Sequence, residues 1–422
     1  VNHYLDHRQL ADEMDLYFLN EEVGAGLPIW LPRGECIRRE LMAFIEKLEE
    51  RFGYERVSSP IIGKSSLYQR SGHLQQFKEN MFPEMRVDSE DVGVFLRPMN
   101  CPHHHLIFGR RPRSYKELPL RLAEFGQVFR YENSGSLCGL IRARSLCQND
   151  AHIYLLKDQA PEEISRVLKM HLDVLAALGL DACRLRLSVH DPLMPDSFQG
   201  SREEWCHAED LLRSSIEQLG VSCFEGPGEA AFYGPKIDFQ MALGEGGSRV
   251  REESISSIQL DFNSGKNFDL AVVDNMGNKQ HPWIIHRAPL GSFERVVGVL
   301  LEIHQGRLPA WLSPVQISIL PVSEKFDQEA YKLEELIRSV ARVLVLPSAK
   351  GSLGFRLREC HRSRSSYHIV YGEREAQEER LVLESREKKE IVPVAEILPW
   401  LRKSLVASKK SSLGAIASGF DE

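Results

Sequence analysis

The chain has 422 residues, with 53 Lys and Arg against 60 Asp and Glu and a formal net charge of −7, a balance that excludes a histone-like or polybasic binder. A hydrophobic share of 42% and a charged share of 27% belong to a globular protein of two or three domains, and they exclude disorder and collagen-like repeats. No apolar run approaches the roughly 18 to 20 residues that a membrane helix needs, and the start VNHYLDHRQL lacks the layout of a signal peptide. The expected setting is therefore soluble and cytoplasmic, or an organellar matrix.

Residues 36–53 place Ile37, Leu41, Phe44, Ile45 and Leu48 at helical spacing ahead of Gly53, which predicts an amphipathic helix. The run YERVSSPII that follows reads as a strand stopped by Pro60. Short strands are expected at 94–98, 124–132, 145–156, 232–243 and 255–262, with helical patterns at 162–178, 202–219 and 290–304 between them. Strict βαβ alternation is absent, so the fold class is α+β on a mainly antiparallel sheet with flanking helices. The segment GRLPAWLSP at 306–314 marks a boundary. Beyond it the order βαβαβ predicts a small α/β domain with a mixed sheet. Domains are expected at 1–308 and 309–407, followed by a flexible tail at 408–422 rich in Ser, Lys and Gly. In the second domain Arg342, Lys350, Arg356, Arg358, Arg362 and Arg364 face Glu359 alone, as either a solvated face or a phosphate-contacting patch.

Neither GxxxxGK[ST] nor a strand-linked GxGxxG occurs, so side chains would have to hold any triphosphate. Arg130 in FRYE, Arg142 and Arg144 in LIRARS, and Arg295 in LGSFERVVG are the candidates. A guanidinium offers two parallel charge-assisted bonds to phosphate and never deprotonates. Taken singly, each also fits an ordinary surface arginine. The eight cysteines are irregularly spaced without a CxxC, which suits reduced thiols or a metal ligand better than a disulfide framework. MNCPHHH at 99–105, DAHIY at 150–154 and IIHRAP at 284–289 contain Cys101, His152 and His286. One thiolate and two imidazoles can bind zinc and leave a position open; a local Cys101/His104 pair and ordinary packed histidines are the alternatives.

The run RPMNCPHHHLIFGRRPRSYKELPLRLAEFGQVFRYENSGSLCGLIRARSLCQNDAHIY, with AAFYGPKIDF and IIHRAPLGSFERVVGVL, closely resembles the threonyl-tRNA synthetases, a family of class II aminoacyl-tRNA synthetases. DHRQLADEMDLY resembles the start of that family's catalytic domain, and WLSPVQISIL the entry to its anticodon-binding domain. The resemblance implies activation of threonine with ATP and magnesium, then transfer to tRNA. It further implies that Pro60 lies at a homodimer interface. Arg130 and Arg295 would be the motif arginines on the triphosphate, Glu132 would contact adenine, and Arg142 the γ-phosphate. Cys101, His152 and His286 would be zinc ligands, Met99, Gln148, Asp150, Tyr233 and Lys236 pocket residues, and His73 and Gln259 neighbours of the tRNA terminal ribose.

Three departures accompany the match. The family's WQCGT reads Glu253-Ser254-Ile255-Ser256-Ser257, which removes a pocket glutamine and a glycine; His103 stands where CPGH has Gly; and Pro347-Ser348-Ala349-Lys350-Gly351-Ser352 replaces a DxRxEK-like stretch expected to help read the anticodon. The family's N-terminal editing domain is expected to be missing from this chain. Alternatives are a divergent paralogue that charges an atypical tRNA or another acceptor, and a non-catalytic tRNA-binding regulator.

Overall fold

A computed structural model describes residues 4–87, 93–244 and 250–406; the expected tail at 408–422 lies outside the described residues. The described residues form two compact units, one within 20–27 and 49–299, the other within 4–19, 28–48 and 300–406.

An eight-stranded sheet organises the first unit. In chain order its strands are β1 Glu55–Arg56, β2 Leu120–Phe129, β3 Ser145–Leu155, β4 Arg184–Val189, β5 Cys223–Pro227, β6 Lys236–Leu243, β7 Arg251–Asp261 and β8 Trp283–Ala288. Their spatial order is β5-β4-β6-β7-β8-β3-β2-β1. Only the outer pairs β4/β5 and β1/β2 are parallel, so the sheet is mainly antiparallel as expected. The strand expected at 232–243 begins only at Lys236, because Ala231–Gly234 form a turn closed by the Gly234 N–H on the Ala231 carbonyl at 3.2 Å. A Cβ on Gly234 would stand 1.9 Å from the Leu260 carbonyl oxygen, an approach only glycine permits.

YERVSSPII does not form one continuous strand. Glu55–Arg56 pairs with β2 and Ile62–Lys64 with Gly93–Leu96. Between them the chain leaves the ladder, and the Ser59 backbone N–H donates to the Glu124 carboxylate at 3.0 Å. A buried side-chain acceptor thus outcompetes strand pairing.

The helix α1 spans His7–Met14 and α2 Pro32–Arg51. Helix α2 starts a turn earlier than its apolar periodicity suggests, since proline is tolerated in a first helical turn. Helix α3 is Cys101–Phe108, α4 Ala160–Ala177, α5 Arg202–Gln218 and α6 Phe293–His304. Among the described residues, no helix is long and apolar enough to cross a membrane.

The second unit holds the mixed sheet. Strands β9 Ile317–Pro321, β10 Val343–Val345, β11 Tyr367–Tyr371, β12 Arg380–Glu384 and β13 Lys389–Pro393 lie in the order β10-β9-β11-β12-β13. The first three are mutually parallel, β12 pairs antiparallel with β11, and β13 pairs antiparallel with β12. Ile317, Ile319, Ile337, Ile369, Leu381 and Leu401 fill its core. Helix α1 belongs to this unit: the His7 ring and the Tyr4 hydroxyl both meet the Glu302 carboxylate at 2.7 Å.

Half of the basic run at 342–364 is internal to the fold. Arg356 is buried and donates to the carbonyls of Pro321, Leu346 and Gly351. Arg342 donates to Trp311 and Ser313 and pairs with Glu40, and Arg364 pairs with Glu13. Neither a solvated face nor a free patch describes these three arginines.

Candidate active site

One row of side chains crosses five strands of the large sheet. Lys236 on β6, Gln259 on β7, His286 on β8, His152 on β3 and Leu122 on β2 are successive cross-strand partners, and directly opposed residues share a face. Along β3 the two-residue period puts Gln148 and Asp150 on the same face as His152. Cys101, the first residue of α3, completes a cluster with the two histidines: one ligand atom from each of Cys101, His152 and His286 lies within 4.8 Å of the others, and all three residues are buried. The far-separated set is thus brought together.

Both rings are oriented from behind. His286 Nε2 lies 2.9 Å from Asp261 Oδ2, so its Nδ1 is the free ligand atom. Asp261 also accepts from the Asn263 and Ser264 backbones at 2.8 Å each. Burial works against its charge, and the hydrogen bond and charge of His286 together with the Ser264 hydrogen bonds outweigh it, holding the carboxyl below the usual range. His152 Nδ1 lies 2.8 Å from His104 Nδ1, which leaves Nε2 free. His104, offered by the sequence as a local partner of Cys101, sits behind His152 instead. Burial pushes the Cys101 thiol far up, with Asp150 and Asp261 adding to the effect, and holds His152 neutral. A bound cation reverses the thiol's preference, and a thiolate with two neutral imidazoles fits zinc.

A cavity of ≈ 540 Å³ opens over this cluster, lined by Met99, Cys101, Gln148, Asp150, Tyr233 and Gln259 among others. Tyr233 stacks on His286 with ring centroids 4.9 Å apart, and its hydroxyl donates to Gln259. Asn100 Nδ2 donates to Asp150 Oδ2 at 2.8 Å. Burial nonetheless raises the Asp150 carboxyl, against the pull of His104 and Asn100. His73 lines neither this cavity nor the one beside it. It is buried beneath the wall, with Nε2 3.2 Å from Met99 Sδ and 3.9 Å from Cys101 Sγ, and burial takes its pKa down to about 3.

A neighbouring cavity of ≈ 320 Å³ shares Arg130, Gln148, Lys236, Ser257 and Gln259 with the first and adds Glu132, Arg142 and Arg295. Burial lowers the pKa of both Arg130 and Arg295, and for Arg130 the charge of Arg295 adds to it. Two desolvated guanidinium groups this close favour a polyanion between them. Arg295 is steadied by the carbonyls of Ile141 and Ser254 at 3.1 and 2.9 Å. Arg142 Nε donates to Glu132 Oε2 at 2.9 Å, so these two expected nucleotide contacts pair with each other. Lys236 pairs with Asp238 at 2.8 Å. Arg144 does not line this cavity and donates to the Glu132 carbonyl and to Ser134.

The serine substitutions find partners within the sheet. Ser254 Oγ accepts from Gln240 at 2.7 Å, and Ser257 Oγ accepts from Gln259 at 3.3 Å. His103 is buried, and its Nδ1 has no hydrogen-bond partner among the described residues. Sequence reasoning missed Asn100, Glu124 and Asp261. Of these, Asp261 carried a signal, lying two residues beyond Gln259 on one strand face.

The fold and this double cavity define a class II tRNA synthetase core with an anticodon-binding partner. Residues 84–304 match the tRNA synthetase class II core domain (G, H, P, S and T), and residues 316–404 match the anticodon binding domain. The chain belongs to the threonyl-tRNA synthetase family. It is 41% identical over 375 residues to a threonine–tRNA ligase of Prosthecochloris aestuarii, covering 88% of this chain and 56% of that protein. The corresponding ligase of Geobacillus kaustophilus is 39% identical over 374 residues, with 88% and 56% covered. The chain thus spans a little over half the length of the curated relatives it matches. A solved structure titled as the RNA binding domain of threonyl-tRNA synthetase from Cryptosporidium parvum superposes with a TM-score of 0.85 at 34% identity, covering 95% of this chain and 98% of that one. A prolyl-tRNA synthetase from Giardia lamblia, 17% identical with a TM-score of 0.75, shares the fold.

Proposed function

We propose that the chain activates threonine with ATP, as its magnesium complex, and transfers the threonyl group to the 3′ end of tRNA. The observation that carries this reading is the adjacency of the Cys101/His152/His286 cluster and Asp150 to the cavity held by Arg130 and Arg295. Attack of the threonine carboxylate on the α-phosphate needs little covalent help, so Arg130 and Arg295 act by positioning and by stabilising charge. Glu132 meets adenine and Arg142 the γ-phosphate once their mutual ion pair parts. Met99, Gln148, Tyr233 and Lys236 orient the amino acid and adenylate. Cys101, His152 and His286 would hold zinc, and the ion when bound would supply a Lewis-acid site for the amino group and hydroxyl of threonine. Asp150 accepts the hydrogen bond from that hydroxyl. Valine leaves the carboxylate without the substrate hydroxyl, and a site built to bond a hydroxyl rejects such an isostere by roughly 10⁴ or more. Serine loses only a methyl, worth roughly 10–200-fold.

In this reading residues 1–308 activate and residues 309–407 bind the anticodon. His73 and Gln259 serve the transfer step, and the exposed segment Pro60-Ile61-Ile62 supports a homodimer contact. ATP/pyrophosphate exchange with zinc-loaded protein tests the reading: threonine and, less efficiently, serine support exchange, and valine does not. Absence of threonine-dependent exchange overturns it.

A second reading, in which the acceptor departs from a standard threonine tRNA, is favoured by residues 347–352. Ser348 is bound through its backbone and hydroxyl to Asp327, and Ser352 caps the helix that follows, so this stretch is occupied with its own fold. Normal anticodon-dependent charging of a standard threonine tRNA counts against it.

A further inference from the structure

Behind the metal-ligating cluster runs a buried chain of polar groups with no direct part in the chemistry above. Glu124 Oε2 lies 3.0 Å from His104 Nε2, and His104 Nδ1 lies 2.8 Å from His152 Nδ1. All three side chains are nearly inaccessible. The far end of the chain is anchored: Ser59 gives its backbone N–H and its hydroxyl to the two Glu124 oxygens at 3.0 and 2.7 Å, and Arg97 donates to Glu124 at 3.2 Å. Arg97 also donates to the Ser59 hydroxyl at 2.6 Å and to the Gln127 carbonyl at 2.7 Å. Four groups thus converge on one carboxylate.

An ionised carboxylate only accepts. Glu124 therefore obliges His104 to carry its proton on Nε2, and neutral His104 then presents a lone pair at Nδ1. His152 must donate to it from its own Nδ1. Its Nε2 is consequently bare, the state that binds a metal. Reversing any one member puts a proton on the ligand atom.

We propose that Glu124 and His104 are positioning residues that fix the tautomer of the metal ligand His152, with Ser59 and Arg97 holding Glu124 in place. Through the Glu124 and His104 side chains, this polar chain ties the segment just before Pro60 to the amino-acid pocket. It parallels the Asp261–His286 pair but uses two steps where that pair uses one. Outer groups of this kind typically change metal affinity by roughly 10–100-fold. The inference rests on zinc being the ion held by Cys101, His152 and His286.

The test is zinc affinity of the full chain, stripped of metal and titrated with zinc against a chromophoric chelator. The unliganded thermal midpoint is recorded in parallel. The wild type binds one zinc tightly; His104→Ala binds it roughly 10–100-fold more weakly, and His104→Asn, whose amide oxygen can still accept from His152 Nδ1, recovers much of the loss. Glu124→Gln, isosteric and able to donate to His104, weakens zinc even where His104→Ala does not fold. Folded His104→Ala and Glu124→Gln proteins with wild-type zinc affinity overturn the inference and leave the zinc reading intact. A wild type that takes up no zinc overturns the zinc reading and the inference with it.

Discussion

Asp150 is a carboxylate in a place that disfavours its charge. Burial raises its pKa, and one amide hydrogen bond from Asn100 holds it in position. Asp150→Asn keeps the shape and removes the charge-assisted acceptor, so threonine-dependent exchange should fall by roughly 10–100-fold, as expected for loss of a hydrogen bond to a charged group worth about 1.5–3 kcal/mol. Selectivity over valine should shrink with it, read from the ratio of kcat/KM values. Arg295→Ala should reduce kcat for exchange by roughly 10²–10³, the usual cost of removing one preorganised charge donor. Glu124 titrates differently. Burial alone would raise it, but hydrogen bonds from His104 and Ser59 and the charge of Arg97 hold it at about 2, below the ordinary 4.5. A depressed carboxyl contributes stability that is complete above its unfolded pKa and is lost as pH falls through the folded one. Between pH 4.5 and 2 the wild type should lose about 2 kcal/mol from this group after allowance for screening, and Glu124→Gln should lose correspondingly less when unfolding is followed by urea titration at each pH.

At the scale of elements, strand β2 matters for what it omits. Gly126 pairs with Gln148, and a Cβ there would stand 2.3 Å from Asn100 Oδ1. Gly126→Ala should displace Asn100, free the Asp150 carboxyl to swing, and raise KM for threonine more than KM for ATP in steady-state exchange. Much of this architecture was legible in the sequence. Alternating apolar residues gave the long strands, and of the four arginines Arg130, Arg142, Arg144 and Arg295 that stood out in a chain without a phosphate loop, three line one cavity and Arg144 does not. The Cys101/His152/His286 set was legible from residue types only as one choice among several until the resemblance singled it out, because strand register and the start of α3, not spacing, bring the three residues together. The segment 57–61 misled for a physical reason: its β-branched residues favour a strand, while a buried glutamate from β2 takes the N–H that pairing would need. Asp261 could be placed on the Gln259 face by strand period, whereas Asn100 and Glu124 carried little signal, since their roles come from which partner lies behind which side chain.

The whole molecule is less linear than its domain signals. The chain's first helix packs in the unit that holds the mixed sheet, through the His7 and Tyr4 contacts to Glu302 and the Glu13–Arg364 pair. The His7–Glu302 contact is fully buried. Removing α1 and the residues before it takes the His7 and Tyr4 hydrogen bonds away from a buried carboxylate, so deletion of residues up to Met14 should destabilise this unit by about 1–3 kcal/mol or more, measured by guanidinium unfolding, with no change in the residues lining either cavity. A last consequence follows from His152 and His286 standing opposite each other on β3 and β8. A one-residue slip in this pairing sends one of the two rings to the far side of the sheet. An ion that needs both rings at once would bind only the correctly aligned copy, drawing mispaired chains toward it by mass action. The cluster would then serve during assembly as a gauge of strand alignment.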